Sequence, residues 1–346
     1  MISELGDAVL VLAGLECVLL AVIVVLRVLL RRNQRRVDQL RPSAELAIAR
    51  YLATGATGAA VRPERRPAMR AIWRDVALEA MADLRGSERA ALAQLLDDLG
   101  YVSEATVDLR SRRRPVRRRG AETLAAVANQ RSLQALAAGL ADRDVLVRMT
   151  CARALAEGSG TETKLPEIVS AVDRDVYAAP GAVGDIVVAL GREHPEALDQ
   201  LLASDAPAEV RSIAMAVIGE LRLERHAGRL REILGERPAD EHLAAAARAL
   251  GMIGDIEAVP PLIALTEDES RAPATRAAAV TALGSIGDPC AVGSIAALVR
   301  HEDWALRTAA ARALSGLGTM GRLALEQAAQ SPVQPVREQA QAILQS

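Results

Sequence analysis

The stretch "TRAAAVTALGSIGD" (275–288) decides the fold, because the chain carries it repeatedly in altered form. "VRMTCARALAEG" (147–158), "VRSIAMAVIGEL" (210–221), "LRTAAARALSGLG" (306–318) and "VREQAQAIL" (336–344) share its frame. Three more diverged copies fit: "VRRRGAETLAAV" (116–127), "AVGDIVVALG" (182–191) and "HLAAAARALGMIGD" (242–255). Anchoring on the arginine slot aligns Arg117, Arg148, Val183, Arg211, Leu243, Arg276, Arg307 and Arg337, at separations of 31, 35, 28, 32, 33, 31 and 30 residues. Self-similarity at such a period marks stacked supersecondary units.

Within each unit, the positions −1, +3, +6 and +7 from the anchor are mostly apolar, which makes one narrow helical stripe. A second helix between anchors carries its own stripe, as in "AVPPLIALTED" and "AVGSIAALVRHED". Two short helices cannot bury both stripes alone, so they must stack on the next pair. Small residues at +3 and +4 are expected to let helices approach closely. That suits a chain that is 51% hydrophobic but only 1% aromatic, with no Phe. Asp144 and Asp303, each four residues before an anchor arginine, stand where a helix N-cap belongs.

The shared pattern D-x-x-V-R-x-x-A-x-x-A-L-x-x-I-G-D resembles the HEAT-repeat family, in the short form first described in phycobilin lyases. The resemblance runs from about Arg110 to Leu344. It implies an all-α fold, a right-handed solenoid of helix pairs, in which each anchor arginine lies along the seam between units. It also implies a binding scaffold more than any one reaction, since a fold does not specify a function. Positions +5 (Arg153, Arg248, Arg312) and +1 (Met149, Ser212, Thr308, Glu338) point away from the stripe, toward the expected inner face. That mixed surface suits a protein partner better than a polyanion.

Working outward from the repeats at 110–346, residues 69–109 read as a helical pair, a possible divergent first repeat, with helices over Met69–Leu84 and Glu88–Asp108. Residues 31–68 read as a basic juxtamembrane segment and linker, in which "PSAELAIARYLA" suggests a short helix capped by Ser43. Before them, residues 8–30 are apolar but for Glu16 and Arg27, long enough to cross a bilayer. Glu4 and Asp7 precede this run and Arg31, Arg32, Arg35 and Arg36 follow it, with no small-residue cleavage pattern after it. That order is the reverse of a signal peptide's. It predicts a single-pass anchor, with residues 1–7 outside and the solenoid cytoplasmic, as in a bacterial inner membrane. Ala13, Cys17 and Ala21 fall on Glu16's side of that helix, a face suited to a partner helix.

Charge is uneven along the chain. Residues 1–119 hold 21 arginines against 14 acidic residues, a net +7, and the remainder holds 21 basic against 30 acidic, a net −9. Seven arginines crowd into residues 110–119, and Arg112, Arg113, Arg114, Arg117, Arg118 and Arg119 form a basic surface able to meet anionic lipid headgroups. Nucleic acid is the weaker fit, because the later repeats are acidic and only Trp73 and Trp304 offer large stacking surfaces.

Three cysteines without paired spacing argue against a disulfide framework. The HEAT-repeat hydroxylases use repeated His-Glu pairs for iron. This chain has His301-Glu302 once and Glu241-His242 reversed, with His194 and His226 isolated. No phosphate loop, nucleophile elbow or HExxH occurs. The reading is therefore a membrane-anchored scaffold or accessory subunit that holds a protein partner, such as an integral membrane enzyme or transporter. It needs no cofactor, metal or small-molecule substrate. The alternatives are a lyase-like or metal-dependent HEAT-repeat enzyme, and an acidic-lipid or nucleic-acid binder acting through 110–119.

Overall fold

A computed structural model describes residues 39–53, 67–203 and 206–345, and among these the regular structure is entirely helical. They fall into two compact units, one ending at Ala135 and one beginning at Leu136. No helix among the described residues is long and apolar enough to cross a membrane. The span expected at 8–30, its face of Ala13, Glu16, Cys17 and Ala21, and Arg31, Arg32, Arg35 and Arg36 all lie outside the described residues.

In the first unit, α1 (residues 39–53) is followed by α2 (Pro67–Asp83), α3 (Gly86–Asp98), α4 (Tyr101–Leu109) and α5 (Arg114–Val127). Ser43 lies inside α1, where its hydroxyl donates to the Leu40 carbonyl at 2.6 Å instead of capping the helix. The helix expected over 88–108 is two helices, α3 and α4, so the region is not a simple pair. Gly100 (φ 84°) makes the tight start of α4, which opens on Tyr101. Its ring is buried under the Arg70 guanidinium at 4.5 Å and its hydroxyl donates to the Arg70 carbonyl at 3.1 Å. Burial pushes that phenol up to about 12.

α6 (Gln130–Ala137) spans the division between the units. The second unit then continues with α7 (Val145–Ala156), α8 (Leu165–Asp175), α9 (Pro180–Glu193), α10 (Ala197–Leu201) and α11 (Ala208–Glu220). After these come α12 (Ala227–Glu236), α13 (Asp240–Ile253), α14 (Val259–Glu267), α15 (Pro273–Ile286), α16 (Val292–Leu298), α17 (Trp304–Gly316), α18 (Gly318–Ala328) and α19 (Gln334–Gln345). In α5, α7, α9, α11, α13, α15, α17 and α19 alike, the anchor position is the fourth residue of the helix. The eight copies therefore keep one register within their own helices.

The stripe inferred from periodicity is the core. Val147, Cys151, Ala154 and Leu155 of α7 are buried, as are Leu306, Ala310, Ala313 and Leu314 of α17. Asp144 accepts from the amides of Leu146 and Val147, and Asp303 from that of Leu306, as N-caps. Gly287 (φ 82°) closes α15 in the left-handed region that only glycine enters at no steric cost. Where the anchor spacing falls to 28, between Val183 and Arg211, the intervening helix α10 shrinks to five residues.

Position +8, which the periodicity did not single out, is a further place where first helices approach closely. There a Cβ built on Gly251 would stand 2.6 Å from the Cα of Ala282, and one on Gly284 2.7 Å from the Cα of Ala313. Gly219 meets Ala249 in the same way, at 2.8 Å. Each glycine thus faces the +6 alanine of the following repeat. Large rings are excluded from this seam because the backbones nearly touch.

Candidate functional site

The anchor arginines are structural, as the resemblance implied. Arg148 Nη1 donates to the Asp142 carbonyl at 2.6 Å, Arg307 Nη1 to that of His301 at 2.8 Å and Arg337 Nη1 to that of Ser331 at 2.9 Å. In each case the acceptor lies six residues upstream, so the guanidinium closes the turn that leads into its own helix. The same head reaches beyond its helix, from Arg148 to Asp175 at the end of α8 and from Arg307 to Gln339 of the next repeat. Burial pushes the Asp175 carboxyl up, but Arg148, helped by Arg174, outweighs it and holds the carboxyl below its usual range.

Arg117 follows this rule in the first unit, donating to the carbonyls of Ser111 and Arg112 at 3.2 and 3.3 Å. It is half-buried and belongs to its turn more than to an open basic surface. Arg118 is also half-buried, whereas Arg112, Arg113, Arg114 and Arg119 are exposed.

All four histidines bridge neighbouring segments instead of converging. Buried His194 touches Thr161 and the Gly158 carbonyl, His226 Nδ1 meets Asp199 at 2.9 Å, and His242 Nε2 meets the Ala208 carbonyl at 3.1 Å. His301 Nδ1 accepts the Asp303 amide at 3.0 Å. Among the described residues no group of three or more His, Cys, Asp or Glu is placed to hold a metal ion.

In α7, α11, α13, α15 and α17 the first helices present one recurrent exposed face at positions +5 and +9, bordered by the mostly half-buried or buried +1 position. Three grooves lie on this face. Between α11, α13 and the start of α15 is a groove of about 450 Å³, lined by Ser212, Glu220, Glu241, Arg248 and Met252 over a floor of alanines. Beside it, Val176, Tyr177, Pro180, Glu209, Ile213 and Glu241 line one of about 510 Å³. Thr281, Ser285, Trp304, Thr308 and Arg312 line a third, of about 500 Å³, between α15 and α17.

Two of the three +5 arginines singled out from sequence, Arg248 and Arg312, therefore line grooves. Arg153 is exposed but engaged with Glu157 at 2.9 Å and Asp185 of α9 at 3.5 Å. Met149, assigned to the open face by its +1 position, is instead 3% exposed, whereas Ser212 and Thr308 do line grooves. Sequence reasoning passed over Tyr177 and Glu209, and weighed Glu241 only as a metal ligand and Trp304 only as a stacking ring. The signal for the two glutamates was present, since both occupy −2 from their anchors. Trp304 is 69% exposed at the groove mouth, which no periodicity discloses.

This architecture is matched by known proteins. The sequence model of the HEAT repeats matches residues 195–273 and 269–345. Among solved structures, Kap121p bound to Pho4p is 16% identical with a TM-score of 0.54, over 88% of this chain and 39% of that one. Kap121p bound to Nup53p is 15% identical with a TM-score of 0.53, over 82% and 37%. Kap121p bound to RanGTP is 15% identical with a TM-score of 0.53, over 88% and 41%. This chain thus spans about two fifths of the length of those proteins, and identity this low is a likeness of fold alone. No curated protein matches the sequence. The repeats are similar to the HEAT family over residues 195–345, and the fold is that of a helical solenoid.

Proposed function

We propose that this chain is a membrane-anchored scaffold or accessory subunit that holds a protein partner on the face formed by its first helices. The observation that carries the reading is a set of three grooves within 176–316, two of them adjoining, lined by exposed Tyr177, Met252, Trp304, Arg248 and Arg312. Tyr, Trp, Met and Arg are the side chains enriched where proteins meet proteins. Solenoids of this kind offer extended binding surfaces because each repeat adds another helix to the same face. In the structural neighbours, the same fold carries bound Pho4p and Nup53p.

The support for an anchor is the apolar run 8–30 with its flanking charges, and the support for an integral partner is Glu16 beside Ala13, Cys17 and Ala21. The cytoplasmic placement of the solenoid rests on the arginines that follow the run. The test is a pull-down of the full chain in mild detergent beside Glu16→Leu. A stoichiometric membrane protein lost with the substitution supports an accessory subunit with the anchor in its interface. Capture of no protein in stoichiometric amount refutes the scaffold.

A second reading rests on exposed Arg112, Arg113 and Arg119, which suit anionic headgroups. It expects salt-sensitive contact of residues 110–119 with acidic lipid nanodiscs. Deuterium-exchange protection of that turn in acidic but not zwitterionic lipid is the result that supports it.

A further inference from the structure

One of the grooves has a chemistry more specific than a general protein surface. Tyr177 follows α8, is 70% exposed, and its hydroxyl donates to Glu209 of α11. Glu241, at the start of α13, lines the same groove and is exposed. The remaining walls are apolar or small: Val176, Pro180, Ala208 and Ile213, with Ser212. No basic side chain lines this groove of about 510 Å³. Elsewhere on the unit, exposed carboxylates are commonly matched by an arginine, as Glu232 and Glu236 are by Arg229 and Glu257 by Arg231.

We infer that the groove of Tyr177, Glu209 and Glu241 receives a cationic side chain, arginine or lysine, presented by the polypeptide partner of the scaffold. A ring face and two carboxylates around an apolar floor match such a side chain part by part. The charged head meets the carboxylates and the electron-rich ring, and the aliphatic stem lies on Ile213, Val176 and Pro180. The hydroxyl bond from Tyr177 holds Glu209 ionised, since it keeps that carboxyl below its usual range. A polypeptide is the occupant that fits, because Ser212 and Glu241 also line the adjoining groove of Arg248 and Met252. A chain passing through the first groove therefore runs directly into the second, where Glu220 and the Arg271-paired Asp240 add carboxylates and Arg248 a positive charge.

This inference rests on the scaffold reading but is tested apart from it. The full chain in mild detergent is titrated with a labelled short peptide of alternating arginine and alanine, read by fluorescence anisotropy, beside the glutamate–alanine counterpart. The arginine peptide is expected to bind and the glutamate peptide not. The triple variant Tyr177→Leu, Glu209→Gln, Glu241→Gln is expected to weaken binding about tenfold, the sum of three modest contacts. The variant Glu269→Gln, Glu302→Gln removes two exposed carboxylates away from the groove and controls for net charge.

Equal loss in the control means a general field effect and overturns the inference, as does unchanged binding in the triple variant. Helicity and melting of every variant, measured by circular dichroism, separate local loss from unfolding. A partner captured by both the wild-type chain and the triple variant with equal affinity sinks this site while leaving the scaffold standing. If no partner is captured, the scaffold reading fails and the peptide titration still judges the groove.

Discussion

Replacing Gly251 by alanine tests the seam that builds the stack. A methyl group there would place its carbon 2.6 Å from Ala282 Cα and 2.8 Å from Ala282 Cβ. Carbon atoms pack at about 3.5–4.0 Å, so α13 and α15 must part by about 1 Å. Overpacking of this kind costs about 1–3 kcal/mol, and here the obstacle is backbone, which cannot rotate aside. Alanine returns about 1 kcal/mol of helix propensity, leaving a net loss of up to about 2 kcal/mol.

The matched control is Gly184, inside α9, where a Cβ meets nothing within 4 Å. Gly184→Ala has the propensity gain without the clash and should stabilise by about 0.5–1 kcal/mol. Measured as thermal midpoints of the full chain in detergent, Gly251→Ala should fall by up to about 8 °C and Gly184→Ala rise by about 1–4 °C. The opposite signs decide. If both substitutions raise the midpoint, the helices are not in the close contact that the geometry gives them, and the account of the aromatic-poor core fails with it.

Asp175→Asn leaves Arg148 without its charged partner in a buried position and should cost about 3 kcal/mol, read as the urea midpoint. Because the folded Asp175 carboxyl is held below its ordinary value, its contribution is complete above the unfolded carboxylate range. It is lost as pH falls through the lower folded value, so wild-type and Asp175→Asn stabilities should converge only on acidification below about pH 4. Burial pushes the Cys151 thiol up to about 12, whereas Cys290 is exposed. In a Cys17→Ser chain, one thiol should react with a thiol reagent at neutral pH and a second only on unfolding. Fast reaction of both would contradict the packing of α7.

The repeat and its frame were legible from residues alone because a stacked array imposes the same local demands on every unit. The anchor at the fourth helical residue, the Asp144 and Asp303 caps and the buried −1, +3, +6, +7 stripe all follow from positions within one helix, and periodicity reports these directly. So did the exposed places of Arg153, Arg248 and Arg312, by exclusion from the stripe. The chain's sequence likewise carries the apolar run at 8–30 and the arginines after it, which are the whole basis of the proposed anchor.

What lay between repeats was decided only in three dimensions. Position +8 looks like any small residue in the sequence, but it faces the +6 alanine of the next unit and sets the helix spacing. Met149 has the position of a surface residue, yet it is buried. Tyr177, Glu209 and Glu241 stand on three separate segments, and the turn of the stack brings them to one groove. A helix's own period specifies which side turns inward. Which residues of its neighbour it meets depends on the offset and angle between two helices, and no spacing within either one contains that.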